Sequence, residues 1–173
     1  MVITIATPAD TAIIAHTYDE LFAYEADTQA WTNWNPHIYP TYETAEQAVS
    51  LQDMYVVRTA GIITGSFRIN QEQPAEYAQQ PWKYPALPQH VLVLHTLCIR
   101  PMYSGQGIAH RILDFACRYG RSHGCITFRI DTYAGNMPAA HLYEQYGFRL
   151  VSIAPLLLHG SIQENQRFYE YKL

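Results

Sequence analysis

Apolar residues recur along the second half of the chain in a pattern that predicts alternating strands and helices. The run His90–Arg100 is strongly apolar, which is typical of a strand covered on both faces. In Gly107–Ser122 the apolar residues recur every three or four positions, which indicates a helix. A second apolar strand is expected at Cys125–Thr132, followed by a helix that Asn136 caps. This order predicts that the two strands pair in parallel.

Further strands are indicated on both sides of this segment. β-rich runs bounded by turn residues predict strands at Val2–Ala6, Met54–Arg58, Ile62–Asn70, Phe148–Ile153 and Arg167–Leu173. Ala60 and Gly61 form the expected turn of one hairpin, and His159 and Glu164 fall in the loop of the last one. We therefore expect an α/β fold with a mixed, mostly antiparallel sheet, one parallel pair, and helices on both faces.

Two helices are expected in the first half of the chain, each beginning at a threonine. Thr7 is placed to cap a helix over Pro8–Ala26, and Thr44 to cap a shorter one that ends near Leu51. The segment Gln71–Gln89 carries four prolines and is expected to be a long loop. Loops of that length are uncommon in compact domains and often have a function.

Composition and charge limit the classes of protein to which this chain can belong. Its 173 residues, 49% hydrophobic and 15% charged, suit one globular domain over residues 1–173. The net charge of -4, from 11 basic and 15 acidic side chains, argues against nucleic acid as a partner. No apolar run approaches the roughly 20 residues of a membrane span, and no basic-then-apolar leader is visible. We expect a cytoplasmic protein with no membrane partner.

The three cysteines, Cys98, Cys117 and Cys125, have no C-x-x-C spacing. Their odd number and spacing argue against a disulfide framework and against a zinc site. We therefore expect no metal. Cys98 lies in a predicted strand without an apparent His–Asp pair, which indicates a buried strand residue and not a nucleophile.

A glycine-rich turn separates the strand at residues 90–100 from the next helix. Gly105 and Gly107 allow the backbone to approach a ligand closely, because a side chain there would keep phosphate oxygens away. The first N–H groups of the helix and the positive end of its dipole attract an anion. His110 stands where a dinucleotide fingerprint needs a third glycine, and the G-K-[ST] of a Walker loop is absent. A G-x-G turn alone remains weak evidence, since most such pairs only permit a tight turn.

Two motifs together resemble the GCN5-related N-acetyltransferase (GNAT) superfamily. The first is Leu97-Cys98-Ile99-Arg100-Pro101 followed by Ser104-Gly105-Gln106-Gly107-Ile108-Ala109, which is similar to the family's apolar-x-apolar-x-Pro strand end and its [QR]-x-x-G-x-[GA] loop. Ser104 departs from the usual Gln or Arg. The second motif, Asn136–Phe148, resembles the family's capped helix with an inner-face tyrosine and a following Gly-Phe. The detailed resemblance covers about residues 90–151, and the first 89 residues fit only in element order.

The resemblance implies that acetyl-CoA is the cofactor and that both motifs hold it. Main-chain N–H groups of Gln106–Ala109, flanked by Ser104, Gly105 and His110, would bind the pyrophosphate. The pantetheine arm would pair with Leu97–Ile99, where the N–H of Cys98 or Ile99 could steady a developing oxyanion. On the helix, the expected CoA contacts are Asn136, Ala139, Ala140 and Tyr143. The Tyr143 phenol, with an ordinary pKa near 10, is the candidate acid for the departing thiolate.

Two residues are candidates for the base that deprotonates the amine. His95 precedes Leu97 by two positions, where members of the family often carry an acidic residue or a histidine. Glu72 ends the preceding strand, which should lie beside that of His95. A core histidine and a solvated strand end are the structural alternatives, and the two residues could also act together through a water.

Aromatic residues outside the two motifs are candidates for the acceptor pocket. They are Trp31, Trp34, Tyr39, Tyr77, Trp82 and Tyr84. Clustered aromatics in loops can line a ligand site and contact an amine through cation-π interactions. They can equally anchor the loops to the core, and the sequence leaves both interpretations open.

These features predict an N-acetyltransferase that acts on a small-molecule or peptide amine by direct attack on acetyl-CoA in a ternary complex. One alternative is a non-catalytic acyl-CoA sensor on the same fold, and another is an interaction domain without a ligand. The presence of Tyr143 with His95 and Glu72 favours the enzyme. The resemblance also makes a homodimer an expectation.

Overall fold

The computed structural model describes residues 1–158 and 161–173, and this part of the chain forms seven strands and four α-helices. The strands are β1 Val2–Ile5, β2 Met54–Thr59, β3 Ile62–Asn70, β4 Val91–Ile99, β5 Thr127–Tyr133, β6 Arg149–Leu158 and β7 Ile162–Lys172. The helices are α1 Thr11–Asp27, α2 Tyr42–Ser50, α3 Ile108–Ser122 and α4 Met137–Tyr146. Short 3-10 turns occupy Pro8–Asp10, Ala75–Gln79, Pro88–His90 and Pro101–Tyr103.

The seven strands form one sheet in the order β1-β2-β3-β4-β5-β7-β6. β4 and β5 are parallel, with registered pairs from Val91 and Thr127 to Leu94 and Ile130. β1–β2, β2–β3, β5–β7 and β6–β7 are antiparallel. The predicted mixed sheet with one parallel pair is therefore confirmed. In the described part of the chain, no helix is both long enough and apolar enough to cross a membrane.

The chain groups into two compact units. The first comprises Met1–Ile69 and His95–Phe115, and the second comprises Asn70–Leu94 and Ala116–Leu173. The first unit has a core drawn from α1, α2, β2, β3 and β4, in which Ile14, Met54 and Val56 are each 0% exposed. Complete burial of one such side chain stabilises the fold by roughly 1.5–3 kcal/mol.

The core of the second unit joins the segment before β4 to the C-terminal hairpin. Tyr77, Val91, Val93, Leu156 and Phe168 form this core. Tyr77 and Phe168 pack edge to face with ring centroids 5.6 Å apart, a favourable arrangement for two aromatic rings. The expected long loop at residues 71–89 is therefore attached to the sheet by a buried tyrosine, and two of the 3-10 turns lie in or at the end of it.

The two expected helix starts in the first half differ in outcome. Thr7 is the N-cap residue of the 3-10 turn Pro8–Asp10, where its N–H and hydroxyl both donate to the Asp10 carboxylate, but α1 proper begins only at Thr11. The expectation for Thr44 is wrong. Thr41 has extended backbone and its hydroxyl accepts from the Thr44 amide at 3.4 Å, so the helix begins three residues earlier.

The C-terminal hairpin is longer than the sequence indicates. Its strands extend to Leu158 and from Ile162, so Glu164 lies on β7 and not in a loop, while His159 lies outside the described residues. Pro155 obscures the strand pattern because proline cannot donate to a ladder. It is tolerated here because β6 is the edge of the sheet.

A bidentate ion pair fixes the end of β4 to α1 within the first unit. The Arg100 Nε and Nη2 atoms donate to the Glu20 carboxylate at 2.7 and 2.6 Å, and Nη1 donates to the Ile63 carbonyl at 3.2 Å. The Arg100 amide donates to the Thr64 carbonyl at 3.1 Å. The hydrogen bonds from Arg100 hold the pKa of Glu20 below its ordinary value, although partial burial opposes the shift.

We expect Glu20→Gln to lower the free energy of unfolding by about 1–2 kcal/mol at pH 7, because a charge-assisted, partly exposed pair is lost. A carboxyl with a lowered folded-state pKa stabilises the fold above its unfolded pKa, and that stability disappears as the pH falls through the folded pKa. Urea denaturation at pH 7 and pH 3 should therefore show a difference that shrinks in acid. Asp19→Asn, an exposed change on the same helix, is the control. An equal difference at both pH values would contradict the ion-pair assignment.

Candidate functional site

The loop between β4 and α3 belongs to the first unit and holds two glycines in left-handed backbone. Gly105 and Gly107 both have a φ of 75°, a conformation that costs a residue with a Cβ about 1–2 kcal/mol. A Cβ built at either position would meet no heavy atom within 4 Å, so the space beside both residues is open. The turn requires glycine for backbone reasons, and it leaves room against the main chain for a ligand.

The start of α3 offers hydrogen-bond donors in the same loop. The Arg111 amide donates to the Gly107 carbonyl at 3.2 Å, so the helical ladder begins at Gly107. The N–H groups of a first helical turn have no acceptor within the helix, and the dipole of the helix is positive there. Residues 104–107 and His110 are exposed, whereas Ile108 is 2% exposed and anchors the turn. This combination fits the pyrophosphate of CoA.

Side chains contribute less to the loop than its backbone does. The Ser104 amide is used by the preceding turn, where it donates to the Pro101 carbonyl at 3.0 Å. The Gln106 side chain folds back and donates to the Met102 carbonyl at 3.4 Å. The departure at Ser104 from the family pattern is therefore consistent with an anion held by N–H groups of the helix start.

The end of β4 alternates between partly exposed and buried residues. Leu97 and Ile99 are partly exposed, and Cys98 is 1% exposed. Burial raises the pKa of the Cys98 thiol to about 12, which leaves it protonated at neutral pH. Thr96 has a φ of 49°, unusual for a β-branched residue within a strand, and its hydroxyl is hydrogen-bonded to that of Tyr39.

The second motif lies in the second unit and forms α4 as expected. The Asn136 side chain caps the helix by accepting from the Ala139 amide at 3.2 Å. Ala140 is 1% exposed and Tyr143 is 4% exposed, so the two do share the inner face of the helix. Gly147 ends α4 with a φ of 106°, the left-handed conformation for which a glycine is suited.

Tyr143 is held among other aromatic side chains. Its ring centroid lies 5.8 Å from that of Phe148 and 5.6 Å from that of Tyr169. Burial, followed by the charges of Asp131 and Tyr169, raises the pKa of the Tyr143 phenol well above 10. Tyr143 therefore keeps its proton at neutral pH, but the gap to a thiolate is wider than the ordinary phenol pKa suggests.

The candidate bases occupy different settings. His95 lies on β4 in the first unit and is partly exposed. Glu72 is exposed, lies in the second unit, and follows the end of β3 by two residues instead of ending that strand. Its amide and carboxylate both contact the Asn70 side chain, at 3.0 and 3.4 Å.

The aromatic residues proposed for the acceptor pocket make contacts that favour the interpretation that they anchor loops to the core. The Trp82 Nε1 donates to the Tyr77 carbonyl at 2.6 Å, and the Arg129 guanidinium lies 4.2 Å from its ring centroid. In the first unit, the Trp34 and Tyr39 rings pack edge to face at 5.7 Å, and the Trp31 amide donates to Glu25. Trp31, Trp34, Trp82 and Tyr84 are partly exposed, while Tyr39 and Tyr77 are buried.

Sequence reasoning missed two acidic residues in the second unit. Glu170 on β7 is 0% exposed and accepts from the amides of Lys83 and Tyr84 at 2.8 and 3.2 Å, which ties the proline-rich segment to the sheet. Asp131 on β5 accepts from the Tyr77 hydroxyl at 2.6 Å. Burial raises the pKa of Asp131 to about 6, with the Tyr77 hydrogen bond opposing the shift. The available signal was the Arg129-Ile130-Asp131 run, which places two charged residues in a strand whose other residues are uncharged.

Known proteins of similar sequence and structure are acetyltransferases. A 72-residue stretch is 33% identical to streptothricin acetyltransferase from Escherichia coli and spans 42% of this chain but only 38% of that protein. In structure, the chain is similar to a GNAT family acetyltransferase from Streptococcus agalactiae, with a TM-score of 0.84, 18% identity, and coverage of 99% and 95% of the two chains. A Salmonella typhimurium protein solved with its cofactor acetyl-CoA gives a TM-score of 0.71 at 16% identity, over 100% and 94%.

A family comparison covers both motifs in full. Residues 19–148 match the Acetyltransferase (GNAT) family, a range that includes the glycine loop and all of α4 and crosses both compact units. The loop geometry fits the cofactor of that family on its own evidence, through two left-handed glycines beside open space. The chain therefore belongs to the acetyltransferase (GNAT) family, which uses acetyl-CoA.

Proposed function

We propose that this chain is an N-acetyltransferase that moves an acetyl group from acetyl-CoA to a primary amine of a small molecule or peptide by direct attack in a ternary complex. The glycine loop carries this proposal, because its two left-handed glycines and the start of α3 present backbone donors beside open space. When bound, acetyl-CoA supplies an activated thioester. The whole chain, residues 1–173, is proposed to act as one cytoplasmic domain.

The proposed cofactor contacts come from both motifs. Backbone N–H groups of Gln106–Ala109 bind the pyrophosphate, with Ser104, Gly105 and His110 beside them. The backbone of Leu97–Ile99 holds the pantetheine arm, and an N–H of Cys98 or Ile99 stabilises the oxyanion. Asn136, Ala139, Ala140 and Tyr143 complete the contacts, and Tyr143 donates its proton to the departing sulfur. His95 and Glu72 are the bases proposed from the sequence.

The similar proteins supply two acceptor classes to test. The Escherichia coli relative is named for streptothricin, and a Brucella melitensis protein of similar fold, with a TM-score of 0.70 and 17% identity, is named for the alanine of a ribosomal protein. A small-molecule amine and a peptide amine are thus both proposed acceptors. The aromatic residues stay proposed for the acceptor site, where they would line it or anchor its loops: Trp31, Trp34 and Tyr39 in the first unit, and Tyr77 and Trp82 in the second.

The activity is tested by following free thiol in mixtures of the protein, acetyl-CoA and one amine at a time. The panel is streptothricin, spermidine, L-lysine and the tripeptide Ala-Ala-Ala. We expect thiol release above the protein-free rate with at least one of these amines. A thermal shift with acetyl-CoA but no release with any amine would instead support the non-catalytic sensor. No thermal shift would support an interaction domain.

Gly107→Glu is expected to abolish the thermal shift that CoA produces, because it places bulk and negative charge where the pyrophosphate is proposed to bind. Gly61→Glu is the matched control. Gly61 has a φ of 83° and also has no atom within 4 Å of a built Cβ, so it carries the same backbone strain at a hairpin turn. An undiminished CoA shift in Gly107→Glu would contradict the cradle, whatever the melting temperature of the variant.

Tyr143→Phe should lower kcat by about 100-fold or more, the usual contribution of a general acid, while the dissociation constant of CoA changes less than about twofold. Tyr146→Phe removes a phenol from the same helix and is the control; its hydroxyl donates to the Cys117 sulfur at 3.6 Å. Steady-state kinetics and calorimetry measure the two quantities. Equal losses in kcat and CoA affinity would show that Tyr143 is structural.

A further inference from the structure

A carboxylate on β5 lies in a setting that the proposed acid and bases do not use. Asp131 is two residues from the end of the strand, and strand alternation places it on the same face as Arg129. In register across the sheet is Phe168 of β7, which packs against Tyr77. Tyr77 is 1% exposed, and its hydroxyl donates to the Asp131 Oδ1 at 2.6 Å. Asp131 as a residue is partly exposed, whereas its carboxylate is removed enough from water for burial to raise its pKa.

Arg129, the cation nearest to Asp131 in sequence, contacts other residues. The Arg129 Nη1 donates to the Gln73 side chain at 2.6 Å and Nη2 to the Tyr84 carbonyl at 3.4 Å, while the guanidinium covers the Trp82 ring. Asp131 is instead held by a neutral hydroxyl. A carboxylate removed from water in this way gains strongly from a cation that a ligand brings.

The other ionisable groups around Asp131 come from the proline-rich segment and from α4. Glu76, next to Tyr77, adds negative charge to that of Asp131. The phenol of Tyr143, on α4, is close enough for the charge of Asp131 to raise its pKa. The proposed acid and a half-buried carboxylate are therefore electrostatic neighbours within the second unit.

We propose that Asp131, in place of His95 and Glu72, is the catalytic residue whose carboxylate receives the ammonium group of the acceptor and takes one of its protons. This role rests on the proposed N-acetyltransferase function and assigns the acceptor as a primary amine that arrives protonated. Tyr77 is a positioning residue, because its hydroxyl fixes the carboxylate.

The proton balance of the step closes with these residues. The ammonium gives one proton to Asp131, and the neutral nitrogen forms a bond to the thioester carbonyl carbon. The C–S bond breaks with its electron pair on sulfur, and Tyr143 donates its proton there. The acylated nitrogen loses its second proton, which restores the Tyr143 hydroxyl, and Asp131 releases its proton to solvent. The products are the amide, the free thiol and one proton in solution.

The charge of Asp131 also affects the acidity of Tyr143 in the direction that the proposed step requires. While Asp131 is ionised, its charge raises the pKa of Tyr143. Once Asp131 has taken the amine's proton, that charge is gone, and Tyr143 becomes a stronger acid at the stage when the sulfur leaves. The raised pKa of Asp131, about 6, also makes its carboxylate a better proton acceptor than an ordinary aspartate while leaving it ionised at pH 7.

The test is the pH dependence of kcat/KM for the panel amine with the fastest thiol release. We expect the wild-type value to fall below about pH 6, as Asp131 becomes protonated. In Asp131→Asn the value at pH 7 should drop at least 50-fold with the KM for acetyl-CoA unchanged within twofold. It should then rise about tenfold per pH unit up to the pKa of the amine, because only amine already neutral in solution can react. A merely structural role would not produce that slope.

Two further variants should shift the acidic limb of the pH profile, the fall of kcat/KM below about pH 6, in opposite directions. Tyr77→Phe removes a hydrogen bond that favours the ionised carboxylate, so the limb should move to higher pH. Glu76→Gln removes a neighbouring negative charge, so the limb should move to lower pH. Both variants keep Asp131 itself and so test the role even if Asp131→Asn is poorly folded.

The outcomes separate this role from the proposed function. If the wild type releases thiol but Asp131→Asn keeps the acidic limb, while His95→Gln loses it, the base is His95 and the role of Asp131 is overturned. Equal losses of CoA affinity and kcat in Asp131→Asn, with no shift in Tyr77→Phe, would overturn it as well. If the wild type releases no thiol with any amine of the panel, the proposed function fails, and this role fails with it.

Discussion

The change from β4 to α3 depends on two residues that adopt positive φ, and the proposed chemistry begins there. Left-handed backbone at Gly105 and Gly107 lets the short connection between β4 and α3 turn directly into the helix. The N–H groups of a first helical turn need acceptors, and a helix that exposes them is an anion site by construction. Side chains at the two glycines would add strain and also occupy the space that the anion needs.

The buried charged side chains of the second unit differ in the partners that compensate for their burial. Glu170 is fully buried, but two backbone amides and Arg149 satisfy it, so it serves to hold the proline-rich segment. Arg129 is 5% exposed; its Nη1 and Nη2 atoms donate to Gln73 and Tyr84 and its guanidinium covers the Trp82 ring, while its Nε has no hydrogen-bond partner in the described part of the chain. Among the described residues, the side-chain donor to Asp131 is the neutral phenol of Tyr77. Because a buried charge without a counter-charge is costly, this difference supports the proposed ligand-binding role of Asp131 and a structural role for Glu170 and Arg129.

Elements were predicted best from the sequence where the spacing of apolar residues and a capping or turn residue indicated the same boundary. The parallel pair of strands, the caps at Thr7 and Asn136 and the glycine loop all combine the two signals, and each is present. Predicted boundaries were wrong where a residue type is compatible with two positions. Thr44 lies in the first turn of α2 and not at its cap, and Pro155 lies inside an edge strand. Local patterns cannot show the position of a strand in the sheet, and within a strand proline is confined to edge strands, first residues and bulges.

The site itself was only partly predictable, for a related reason. Backbone features such as the glycine turn and the α4 cap are encoded within a few residues, so a motif captures them. The hydrogen bond between Tyr77 and Asp131 joins residues 54 positions apart, and nothing in either local sequence indicates it. A local motif likewise indicates only the ordinary pKa of a tyrosine phenol, whereas the folded chain buries the Tyr143 phenol and places it near the charge of Asp131.

The charge of Asp131 bears directly on the proposed role of Tyr143, because the phenol lies on the buried face of α4. Burial alone would make Tyr143 a poor proton donor, since its phenolate has little solvation. A neighbouring carboxylate makes it poorer still while ionised, and better once neutralised, so the acidity of Tyr143 depends on the protonation state of Asp131. In the proposed mechanism, an amine that gives its proton to Asp131 removes the charge that raises the pKa of Tyr143, and so makes that phenol a stronger acid before the sulfur leaves.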